Sequence, residues 1–164
     1  MALLNTLVLE LASRAGWKNP SQDEDGAYRF SLENDLDFAI FSPDDRNAIL
    51  RAELMPVPAP GPERDDLMRD VARRQAAVCR SRASIASMEG AGQSLLKGTS
   101  ASGDALVLYN MVALAGGQAA LAAAAKNFLN DLAWWKASFD DGRAQNSRAR
   151  PLFTMPGSFS AGMY

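Results

Sequence analysis

Few residues of this chain could do chemistry, and they lie scattered along it. Glu33, Asp35 and Asp37 offer closely spaced carboxylates of the kind used in acid–base work. Asp35 and Asp37 would share one strand face near a hairpin, where acidic residues also serve solubility alone. Ser21-Gln-Asp23-Glu-Asp25-Gly26 opens like a calcium loop, but its twelfth position is Leu32 where a bidentate Glu is needed, so it reads as a solvated turn. Gly92-Gln-Ser-Leu-Leu-Lys97-Gly98-Thr99 inverts the Gly-Lys order by which a phosphate loop lets bare backbone cradle phosphate. Cys79 is the only cysteine, which excludes an intrachain disulfide. Its neighbours Ala76, Ala77 and Val78 suit a small buried residue, while the flanking arginines would favour a thiolate.

Histidine is absent altogether. That removes every Ser-His, Cys-His and His-metal constellation, together with the side chain best matched to proton transfer near neutral pH. The composition therefore points away from an enzyme and calls for no cofactor and no metal. A net charge of −2 supplies no whole-molecule attraction for nucleic acid or anionic lipid. One local exception is Arg64, Arg69, Arg73, Arg74, Arg80 and Arg82. Glu63, Asp65, Asp66 and Asp70 are interleaved with them, and no aromatic residue among them could stack on a base. The segment reads as a solvated helical face with internal ion pairs, its alternatives being a nucleic-acid patch or the rim of a protein interface.

The elements that must position these residues are clearer. Residues 2–15 read as a helix with Leu3, Leu4, Leu7, Val8, Leu11, Ala12 and Ala15 on one side and Gly16 as terminator. Alternation predicts strands at Tyr28–Leu32 and Leu36–Ile40, with Glu33-Asn34-Asp35 as a hairpin link. A third strand runs from about Ala48 to Val57, where prolines 56, 58, 60 and 62 end pairing. A second helix from Glu63 to about Arg80 starts with acidic residues at its positive end. Short strands at Ile85–Met88 and Ser94–Lys97 come next, then a doubly apolar strand at 105–113.

The last predicted helix, Gln118 to Phe139, carries Leu121, Ala125, Phe128, Leu132, Trp135 and Phe139 in one stripe. Of Trp134 and Trp135, one ring should enter the core and the other mark a contact surface. From Asp140 the composition turns to Gly, Ser, Arg, Asn and Pro. The expected organisation is a single domain over 1–139, then a flexible tail over 140–164 that still holds Leu152, Phe153, Met155 and Phe159. Grouped strands with segregated helices indicate an α+β fold: an antiparallel twisted sheet with three helices, in the order α-β-β-β-α-β-β-α. The apolar N-terminal segment has no basic leader and the alanine-rich stretch 111–129 makes a poor membrane span, so a cytoplasmic protein without membrane insertion is expected.

Over about residues 3–139 this organisation resembles the class I chaperones of type III secretion, the CesT/SycE-like Tir chaperone group. Leu3 to Trp17 resembles the family's opening helix, Tyr28–Leu32 and Leu36–Phe41 its first two strands, and Ala48–Val57 with the proline break its third. Leu106–Leu114 and the helix through Phe128-Leu129-Asn130-Asp131-Leu132-Ala133-Trp134-Trp135 are similar to its C-terminal half. The resemblance implies a bacterial cytoplasmic homodimer that binds an effector's N-terminal region in extended form, keeping it soluble and competent for secretion in virulence. Cargo would then meet Leu4, Val8, Phe38, Ile40, Ile49 and Leu50, and the dimer would form through Leu67, Val71, Arg74 and Val78. The rival reading is a regulatory protein that binds nucleic acid or a protein partner through the Arg-rich second helix.

Overall fold

The computed structural model describes residues 2–18, 20, 22–76, 81–87 and 103–148, the last eight as helix backbone only. Helix α1 spans Ala2–Ala15, β1 Tyr28–Ser31, β2 Asp37–Phe41, β3 Asn47–Pro56, α2 Pro62–Gln75, β4 Arg82–Ser87, β5 Asp104–Ala113 and α3 Gly117–Arg148. The strands form one antiparallel sheet in the order β1-β2-β3-β5-β4, so β4 enters at the far edge and β5 returns between it and β3. This is the predicted α+β architecture of three helices and an antiparallel sheet.

Local chemistry sets the ends of the elements. Gly16 adopts a left-handed φ of 68°, open to glycine without penalty. Its N–H reaches Ser13 C=O and the Trp17 N–H reaches Ala12 C=O, the paired bonds that satisfy the last carbonyls of α1. Between β1 and β2, Asn34 and Asp35 take positive φ values of 62° and 57°, tolerable for short polar side chains. Before β3 the Asp44 carboxylate accepts the N–H groups of Arg46 and Asn47 and the Asn47 side-chain amide. Those bonds hold its pKa below the ordinary value.

α1 and α3 cover one face of the sheet. The inward stripe of α1, Leu4, Leu7, Val8, Leu11 and Ala12, is buried, as are Leu121, Ala125, Phe128, Leu132 and Trp135 of α3. They meet Tyr28, Phe30, Phe38, Ile40, Leu50, Leu106 and Leu108 from the strands. Phe30 stacks on Phe38 at 4.8 Å, and Trp17 approaches both edge-on. A bulge between Glu53 and Met55 shifts the β3–β5 register, so that Met55 rather than Leu54 opposes Leu106.

Three expectations change. α2 stops at Gln75, short of Arg80. α3 continues past Phe139 to Arg148, so residues 140–148 are helical backbone rather than tail. The link at 33–35 turns through the left-handed Asn34 and Asp35, which places Asp35 outside the strand holding Asp37. Val78, Cys79, the strand expected at 94–97, the Gly92–Thr99 segment and residues 149–164 lie outside the described residues.

Candidate partner-binding surfaces

Period-two alternation gives each strand two faces, and the tertiary structure assigns them. Leu4, Val8, Phe38, Ile40 and Leu50, expected to meet cargo, are all within the chain's own core. α1 and α3 fill the space above that face. Ile49 alone of the expected set points the other way. It stands between Phe41 on β2 and Met111 on β5 in one cross-strand row, and Met111 is 63 % exposed. No described helix packs over this row.

Of the residues expected at a dimer seam, Val78 lies outside the described residues and the other three contact the chain itself. Val71 is buried and Leu67 packs against the same core. Arg74 bonds Asp70 at 2.8 Å and lies 5.0 Å from the centre of the Phe139 ring, tying α2 to α3. The arginines of α2 are mostly paired: Arg64 with Asp104 at 2.8 Å and Arg69 with Asp66. These pairs leave the Arg-rich helix less cation to offer phosphate than its composition suggests.

A second surface lies between α1 and α3. Leu11, Ala15, Trp17, Ala122, Ala125 and Leu129 line a largely apolar groove of about 330 Å³, with Arg14 and Lys126 as its charged members. Arg14 is held by Glu10 one turn earlier at 2.6 Å. The sequence carried a signal for this groove, since α1 and α3 each have more apolar positions than one contact row requires, but no hint that those positions face each other. Trp135 is fully buried while Trp134 is 41 % exposed, which divides the two rings as expected.

The polar candidates for chemistry have structural duties. Asp23 accepts the N–H groups of Ala27 and Asp25 and bonds Arg29 Nε at 2.7 Å. Burial opposes its ionisation, but these bonds outweigh that and hold its carboxyl below the ordinary value. The segment is a turn, as expected, but its Asp23 is ion-paired and partly buried rather than solvated. Asp35 is occupied through its carbonyl, which accepts from Lys136 on α3. Glu33 and Asp35 are exposed and sit on a turn with no cavity beside them among those found.

Sequence reasoning missed three residues that organise one corner of the sheet: Gln75, Ser81 and Asp131. Asp131 of α3 accepts the Ser81 N–H at 3.0 Å, fixing the start of β4 under α3. Among the described residues no helix is long and apolar enough to cross a membrane.

By sequence the chain matches no described protein family and no curated protein. Its structure does find likenesses. A chain of the HopA1–SchA chaperone–effector complex aligns over 82 % of this chain and 94 % of its own length, with 11 % identity and a TM-score of 0.56. A chain of the ExsC–ExsE complex aligns over 83 % and 92 %, with 18 % identity and a TM-score of 0.56. The Yersinia pestis type III secretion chaperone SycH, in complex with a stable fragment of YscM2, gives 80 % and 98 %, with 10 % identity and a TM-score of 0.51. Three helices, a five-stranded antiparallel sheet and alignment over 80–83 % of this chain agree: this chain has the fold of the class I type III secretion chaperones.

Proposed function

We propose that the chain is a type III secretion chaperone, which binds the N-terminal region of one or more effector proteins in extended form and keeps them soluble and secretion-competent. The observation that carries this reading is the shared fold with chains from chaperone–effector complexes over most of both lengths. Physical features support it. The outward edge of β1 has, among the described residues, only the single bridge Gln22–Tyr28 beside it, which leaves Ser31 free for main-chain pairing with an extended segment. The apolar groove between α1 and α3 is a place for that segment's large side chains. Binding of this kind needs no reacting group, in keeping with a protein that is not an enzyme.

Self-association belongs to the same reading. The row Phe41, Ile49 and Met111 is an apolar strip on the sheet face turned away from α1 and α3, and a second copy would bury it in a homodimer. Cytoplasmic location follows from acting on effectors before export.

The test is capture from the native organism with tagged protein, followed by light scattering and trimming of whatever binds. The expected result is a secreted protein held through its N-terminal segment alone by two copies of this chain. A captured protein that binds as a folded domain, or nucleic acid in place of protein, would overturn the reading.

A further inference from the structure

The first turn of α3 holds the middle of α1 through one side chain. Gly117 opens α3 at a left-handed φ of 65°, a turn that glycine makes without penalty, and the residue after it lies against α1. With its nitrogen toward the Leu7 carbonyl and its oxygen toward the Leu11 N–H, the half-buried Gln118 amide bonds both, at 3.0 and 3.1 Å. The reverse orientation would set acceptor against acceptor and donor against donor, so the bonding pattern fixes which way the amide points. An α-helix pairs each N–H with the carbonyl four residues earlier, which makes these two groups the ends of one helical bond. Gln118 therefore grips α1 by its backbone, at a turn whose own side chains Leu7 and Leu11 are buried. Apolar contact has no direction and lets two helices slide, whereas two bonds to a fixed pair of backbone groups do not.

Those bonds join the two walls of the apolar groove between α1 and α3. Gln118 itself lines the groove, and Ala122, Ala125 and Leu129 continue from it along the α3 wall at helical spacing. The hollow of about 330 Å³ exists because Ala15 on the α1 wall and Ala122 and Ala125 on the α3 wall are small. The distance between packed helices follows the side chains at their contact, so alanines by themselves would let the two walls approach and close the hollow.

We propose that Gln118 is a positioning residue that sets the width of this groove: it holds α1 and α3 at one spacing and keeps the hollow between them open. That half stands on the two bonds and the hollow alone. Its consequence, that an extended cargo segment meets a preformed seat and loses less freedom on binding, rests on the chaperone reading above.

The experiment uses the full chain without any cargo. Gln118→Met keeps the length of the side chain and removes both hydrogen bonds. Amide exchange at Leu11 should then quicken by about threefold to tenfold, the equivalent of one net hydrogen bond. Nitroxide labels in place of the exposed Arg14 and Lys126, one on each wall, read the width directly in a Cys79→Ser background. With Gln118 a single narrow distance distribution is expected, and with Gln118→Met a broader or shorter one. An unchanged distribution in a folded Gln118→Met protein would overturn the proposal even if stability fell, since lost stability alone is what a merely structural side chain gives. Unchanged exchange at Leu11 would overturn it as well, by removing the bonds on which it rests. If Gln118→Met does not fold, Gln118→Glu carries the same two readouts, since it retains an acceptor for Leu11 and loses the donor to Leu7. Because no cargo is present, failure of the chaperone reading leaves this result intact, and the reverse also holds.

Discussion

Phe38→Ala separates a core residue from a contact residue. Phe38 is fully buried, stacked on Phe30 at 4.8 Å, edge-on to Trp17 at 5.7 Å and 6.1 Å from Phe128. Removing a fully buried ring costs about 3–5 kcal/mol in lost transfer energy and cavity formation. Each aromatic pair adds about 0.5–1.5 kcal/mol beyond area, which places this site toward the upper end. For a domain of this size each kcal/mol lowers the melting temperature by about 2–4 °C, so a fall of roughly 6–20 °C is expected. Against a total stability of about 5–15 kcal/mol, the variant stays folded with little margin. Urea unfolding followed by tryptophan fluorescence reads this directly, because Trp17 lies against the altered site. Met111→Ala, on the uncovered face, is the control and should shift stability by no more than about 0.5 kcal/mol. A loss below about 1 kcal/mol for Phe38→Ala, combined with loss of bound effector, would refute the assignment of this face to the core.

Met111→Asp should give a lighter particle in light scattering and remove the concentration dependence of unfolding; an unchanged dimer would exclude the Phe41–Ile49–Met111 row as the interface. Gly16→Ala should cost about 1–2 kcal/mol in chemical unfolding. The cause is purely conformational, since nothing lies within 4 Å of the added Cβ while φ is 68°, and an unaffected variant would disprove the left-handed end of α1. Asp23 has a lowered pKa, so the stability it contributes is present above its ordinary value of 3.8 and is lost as pH falls through the lower folded-state value. Asp23→Asn should therefore reduce stability at neutral pH and flatten the acid limb of a pH–stability curve; an unchanged acid limb would show that the turn at Asp23 contributes nothing there.

Much of the fold could be read before the structure was known, and the reason is periodicity. The stripes Leu4–Ala12 and Leu121–Trp135 repeat at helical spacing and are buried, while the outlying members fall away from the core: Leu3 and Ala15 are exposed and Phe139 is partly buried. β1 and β2 alternate cleanly, with Tyr28, Phe30, Phe38 and Ile40 inward. β5 was harder, because Ala105 and Val107 are as buried as Leu106 and Leu108 on the other face, and a strand apolar on both sides does not declare which face the helices cover. Contact and core are hard to separate in the sequence for a related reason. Large apolar side chains suit either, and in the fold α1 and α3 cover Phe38, Ile40 and Leu50.

Sequence alone determined the element types and their order, the absence of histidine chemistry, and the amphipathic stripes that require a helix-covered sheet. These follow from residue type and local spacing, which carry their own physical meaning. Tertiary structure alone decided that Ile49 faces away from the core while Leu50 faces into it, that Arg64 of the Arg-rich helix pairs with Asp104 on β5, and that Gln75 reaches the backbone of β4. Each depends on which segments distant in the chain come together, and a one-residue change of register in a strand would invert the first of them.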